Sequence, residues 1–232
     1  MNRRNRKMYY IIAILLVAMF KYGFSYLKEH NTNINLPKIS QNKTIRQENV
    51  SVNNQEIQSL LKSVKIAEPD GSKYNRTEWD GNTKFTERDG KMYTARNYNL
   101  YFSPNYKGSS TSFEYIDPYS NKNIEKKSLI DRDHIIPLGY VNQHGGASWS
   151  AEKKRDYAFD VTVSVDVHRT LNRTKGDKGP AKWMTPANQE SYCYTWLVIA
   201  NKYDISISQE DYNVIAETLK NTKEVSIINP LK

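Results

Sequence analysis

A chain of 232 residues holds one ordinary domain with additions and excludes two large ones. Hydrophobic residues make up 38% and aromatics 12%, with 17 tyrosines, enough for a packed but amphipathic core. The net charge of +9 does not by itself mark a nucleic-acid binder, because residues 1–65 carry all but one unit of it and residues 66–232 are nearly neutral. The single cysteine, Cys193, excludes an intramolecular disulfide and a cysteine-based zinc cluster. In "SYCYTW" it reads as a small core residue.

The chain begins with the basic stretch "MNRRNRK", followed by a 13-residue apolar run from Met8 to Phe20. That length suits a signal peptide and is short for a membrane span. Gly23-Phe24-Ser25 offers a small-x-small cleavage triplet. Snorkelling of Lys21 would instead extend the run through Tyr26 and Leu27 into an uncleaved anchor. Positive charge ahead of the run keeps the N-terminus inside, so the rest of the chain is exported in either case. Residues 1–30 are therefore read as signal peptide or membrane anchor, and the Asn-rich residues 31–54 as a flexible polar linker. The globular domain is expected over 55–222, with a tail at 223–232.

Ile57, Leu60, Leu61 and Val64 predict a short packing helix. From Tyr74 to Tyr119 the density of Tyr, Phe, Trp and Thr, broken by "DGN", "RDGK" and "NYKGSS", predicts short strands and turns. Residues 124–138 form a strand-like run ending near Pro137. Ser148 or Ser150 then caps a helix over "AEKKRDYA". Val161 to Val167, "VTVSVDV", is the clearest strand by its period-two alternation. "HRTLNRTKGDKGPAKW" begins as a helical turn and runs into a Gly/Pro loop. Tyr192, Trp196, Ile199 and Tyr203 share one helix face, and Ser208 with Asp211 marks the start of a last helix. The order predicts an α+β domain.

The chemistry concentrates in "SLIDRDHIIPLG", residues 128–139. Asp133 and His134 supply a hard oxygen ligand and a base able to work near neutral pH. Regular pleating sends adjacent side chains to opposite faces, so both serve one site only where the strand ends or distorts. Asp131 and Arg132 read as strand-end residues, solvated or salt-bridged. Further on, Arg169, Arg173, Lys175, Lys178 and Lys182 face one acid, Asp177, in the one concentrated basic segment of the domain. Asn172 sits among them with an amide oxygen that can also ligate a hard metal. His30 and His144 read as inert, and His168 as a cap or lining residue.

Taken in order, "DRDHIIPL", Trp149, "RDYAFD", a β-branched strand, "NRTKGDKGPAKW" and "YCYTW" resemble the HNH nucleases. The likeness is narrower to a small exported bacterial branch with the pattern DHxxPL … N..KGD..P..W. "YNRTEW", "ARNYNL" and "DPYSN" fit upstream, and the resemblance covers residues 55–218. It implies a ββα-metal core with added short strands and C-terminal helices, and a non-specific endonuclease that hydrolyses phosphodiesters of DNA or RNA. His134 would be the general base. Asp133 and Asn172 would hold one divalent ion, first of all Mg²⁺, with Mn²⁺ or Ca²⁺ as alternatives. Arg96, Lys175 and Arg173 would grip phosphate. Asp160 and Asp177 would support the site, and Trp183 would pack. One departure stands out: where the family has Asn between Ala158 and Asp160, this chain has Phe159, which cannot hydrogen-bond. The rival expectation is a non-catalytic surface protein binding nucleic acid or wall polymer on a degenerate nuclease fold.

Overall fold

The architecture is mixed α+β. The computed structural model describes residues 52–79, 85–109 and 112–228, all within one compact unit, Ile45–Lys232. The apolar N-terminal run, the linker through residue 51 and the "DGN" turn lie outside the described residues. Among the described residues there are seven α-helices and four two-stranded antiparallel pairs.

Strand β1 (Val52–Asn53) leads into helix α1 (Asn54–Ser63), which the Asn53 side chain caps by accepting from the Glu56 N–H. Ile57 and Leu61 form its buried face. Strands β2 (Phe85–Arg88) and β3 (Lys91–Thr94) form the expected hairpin. Its turn residues Asp89 and Gly90 both have positive φ, the requirement of a type I′ turn. Helix α2 (Ala95–Phe102) follows, then β4 (Tyr115–Ile116) and β5 (Asn123–Ile124). Leu100, Tyr115, Ile124 and Ile130 make a small satellite core here.

Strand β6 (Ile130–His134) carries the Asp-His pair and gives way after Pro137 to α3 (Leu138–Gln143). Ser150 caps α4 (Ala151–Phe159) by accepting from Lys153. The expected strand over 161–167 is shorter and shifted. Asp160 accepts from the Thr162 N–H at 2.7 Å and folds Val161–Val163 into a 3-10 turn, so strand β7 is Ser164–His168. Helix α5 (Arg169–Lys175) follows directly and ends at Gly176, whose φ of 53° is left-handed.

Helix α6 (Gln189–Tyr203) buries Tyr192, Trp196 and Ile199 in the main core, and Ser208 caps α7 (Gln209–Leu219) by accepting from Asp211. The chain does not trail off at 223. Strand β8 (Glu224–Val225) returns to pair with β1, Val52 opposite Val225, so the ordered body reaches past both expected boundaries.

Candidate active site

The site is organised by the β6–β7 hairpin. Asp133 lies opposite Val165 and His134 opposite Ser164, in regular antiparallel register. Directly paired residues share a face, and neighbours alternate. Asp131, Asp133, Val165 and Val167 therefore occupy one face, and Arg132, His134, Ser164 and Asp166 the other. The strand does not distort at the Asp-His pair, so the two side chains point apart.

On the first face, Asp133 is 4% exposed and Lys175 is 0% exposed. The Lys175 ammonium donates to both Asp133 carboxylate oxygens at 2.8 Å and to the His134 carbonyl at 2.7 Å. Tyr119 donates its hydroxyl to Asp133 Oδ2 at 2.6 Å. Burial pushes Asp133 upward and Lys175 downward, and each is opposed by the other's charge. Two earlier expectations change here. Lys175 is not a surface grip for phosphate, because all three of its N–H donors are used inside the protein. Asp133 does not fit as a ligand for a hard dication, because an ammonium already occupies both of its oxygens. Asn172 is partly buried on α5 and stands without its expected co-ligand. Among the described residues no group of three or more His, Cys, Asp or Glu side chains could hold a metal.

On the second face, His134 is partly buried, and its Nε2 lies 2.9 Å from the Ala158 carbonyl. A carbonyl only accepts, so Nε2 carries the proton and Nδ1 keeps a lone pair. Burial, reinforced by the charges of Arg132, Lys175 and Arg76, pushes the imidazole pKa down to about 3. The ring is thus neutral, and the same burial lowers its basicity. Arg132 donates to the same Ala158 carbonyl at 2.8 Å and to Ser164 Oγ at 2.9 Å. It is a site residue rather than a solvated strand end, while Asp131 does meet Arg173, at 3.7 Å.

The remaining expected residues are dispersed. Arg96, exposed on α2, donates to the Ile130 carbonyl at 3.1 Å, at the far end of β6 from His134. Arg173 keeps 69% of its side chain exposed. Asp160 serves the loop after α4. Against the effect of burial, hydrogen bonds from Lys202, Tyr203 and Thr162 hold its carboxyl below the usual range. Phe159 packs against the main core, and it is the Ala158 backbone next to it that holds the histidine. Asp177, in the turn after α5, packs against α3, where a Cβ in place of the Gly139 hydrogen would meet its carboxylate at 2.5 Å. Trp183 packs on Tyr119 and Tyr192, with ring centroids 5.5 and 5.9 Å away. The KGD segment and the glycine after "IIPL" thus interlock as structure.

Sequence reasoning missed Tyr119, Arg132 and Asp166. Tyr119 carries no signal beyond its place in "DPYSN". Arg132 and Asp166 face each other across the hairpin, which the alternation of both strands could have indicated once they were paired.

No family model matches the chain, and no solved structure matches it significantly. It is similar to an uncharacterized secreted protein of Arthroderma benhamiae, 27% identical over 115 residues that cover 48% of this chain. Those residues span 56% of the relative, just over half its length. No helix among the described residues is long and apolar enough to cross a membrane. What the comparisons establish is a likeness to a secreted protein.

Proposed function

We propose that the chain is an exported phosphodiesterase of the HNH type, cutting the backbone of DNA or RNA with His134 as general base. The observation that carries this reading is the neutral imidazole whose Nε2–H is fixed on the Ala158 carbonyl, with Arg132 and Arg76 supplying positive charge around it. The run of β6, β7 and α5 in chain order also has the ββα sequence that such a core would need.

The groups of the chain itself can do the following. Nδ1 accepts a proton from water, the resulting hydroxide attacks phosphorus, the P–O bond to the sugar breaks, and the departing oxygen takes a proton from solvent. Arg132 beside the imidazole favours an anionic substrate, whereas Arg96 and Arg173 stand apart from it. Base-edge readout has no obvious reader, so recognition would rest on phosphate. A divalent ion would supply further charge stabilisation, but Asp133 is closed to one, and the donors for it would have to be other than the expected pair.

That closure, together with Phe159, favours the second reading, a nucleic-acid or wall-polymer binder without catalysis. Incubating the full-length chain with supercoiled plasmid and with RNA, in Mg²⁺ or EDTA, separates the two. Nicking by the wild type that falls about 10²–10⁴-fold in His134→Ala is the expected result. Binding without any nicking would overturn the enzyme reading, and nicking that survives His134→Ala would overturn the base.

A further inference from the structure

We propose that Lys175 is a fixed internal cation standing on Asp133 where the HNH resemblance would place a metal ion, and that Asp133 and Lys175 are positioning residues for the His134 imidazole. This inference rests on the reading of His134 as the reactive base.

An ammonium has three donors, and Lys175 meets three acceptors: Asp133 Oδ1, Asp133 Oδ2 and the His134 carbonyl, all within 2.8 Å. Nothing of it is left for substrate. Asp133 is closed from the other side by the Tyr119 hydroxyl, and Tyr119 is itself wedged between Trp183 and Tyr192. A dication could reach Asp133 only by expelling a fully buried ammonium into space already filled by rings.

The third contact gives the pair its role. Lys175 holds the backbone of His134 from one face of β6, while Ala158 holds its side chain from the other. Between them the residue is gripped at its carbonyl and at Nε2, and only Nδ1 remains uncommitted. Helix α5 is thereby registered against β6 by an ion pair spanning 42 residues of sequence. Since β7 and α5 are contiguous, this one pair sets the helix, the strand and the base together.

The test reads His134 directly, by long-range ¹H–¹⁵N NMR of the imidazole in the full-length chain. The wild type is expected to show a protected Nε2–H. Lys175→Met is expected to speed exchange of that proton at least tenfold. Because a single substitution strands a buried charge, the paired variant Asp133→Leu/Lys175→Met provides a folded background, checked by circular dichroism, in which the same acceleration is expected. An Nε2–H unchanged within twofold in either folded variant would overturn the positioning role. Mn²⁺ binding, followed by electron paramagnetic resonance, tests the other half. The proposal expects the paired variant to match the wild type within twofold, including no binding by either. A tenfold or greater loss would make Asp133 a metal ligand and overturn it. Neither readout requires cleavage, so failure of the nuclease reading would show as absent nicking with the clamp intact.

Discussion

The two faces of the β6–β7 hairpin treat charge in opposite ways. On the Asp133 face the buried acid and the buried base are matched atom for atom, and Tyr119 seals the pair. On the His134 face Asp166 is 0% exposed, yet neither of its carboxylate oxygens has a hydrogen-bond partner, and Oδ1 of Asn99, whose amide donates to Ser164, is also unpaired. Burial raises the Asp166 carboxyl to about 7, against the pull of Arg96, Arg132 and Lys127. Burial lowers His134 to about 3 on the same face. The lesson is a division of labour: one face spends its charges on rigidity, and the other keeps groups whose protonation can change. Unmet polar groups mark the face where chemistry is to be sought.

Breaking the matched face should have the largest effect. Lys175→Met leaves Asp133 buried without its counter-ion, a loss of about 3–5 kcal/mol, or roughly 2–4 °C of Tm per kcal/mol, read by thermal unfolding. A Tm within 2 °C of wild type would show that the pair is not buried in solution. Arg132→Met removes two hydrogen bonds on the His134 face and one of the positive charges that pull on the buried Asp166. Its expected cost is about 2 kcal/mol in urea unfolding, and the His134 imidazole should titrate higher once the nearby positive charge is gone.

The last effect, which depends on pH, is the most diagnostic. Asp166 holds its proton in the folded chain up to about pH 7, whereas an unfolded Asp loses it near 3.8. Its contribution to stability is therefore complete below 3.8 and is lost as pH rises to 7. Asp166→Asn, which cannot ionise, should be more stable than wild type at pH 8 and gain nothing at pH 4. A gain that did not depend on pH would mean that Asp166 is ionised throughout. His134 runs the other way: its neutral form stabilises the fold above pH 6.5, and that stability is lost as pH falls toward 3. Between about 4 and 6.5 the two residues oppose each other, so the wild-type stability profile should be flatter than that of Asp166→Asn.

Local features were readable from the chain. Ser150 and Ser208 cap helices as their positions suggest, "RDGK" makes its turn, and Tyr192, Trp196 and Ile199 share a buried face. Each of these depends on a few adjacent residues. A regular strand separates Asp133 from His134, but the regularity of this strand depends on pairing with β7, 30 residues away. Lys175 counted as one more member of a basic segment, because nothing local distinguishes a buried ammonium from its exposed neighbours. Asp166 lay in the polar half of an alternating strand, the half that would ordinarily face water. Here Asn99 of α2 and Tyr115 reach over that half, and the Tyr115 hydroxyl donates to the Asp166 carbonyl. Long-range cover of this kind leaves no trace in strand periodicity.

The short ladder between β1 and β8 has a consequence for how the domain can be handled. Val52 and Val225 lie side by side, so the two ends of the folded body emerge at one corner. A polypeptide attached at either end leaves from the same place, and the two ends could be joined by a few residues and the chain reopened in a surface loop without asking any core residue to move. The pairing that fastens the last strand to the first makes the fold, in effect, a ring with a clasp.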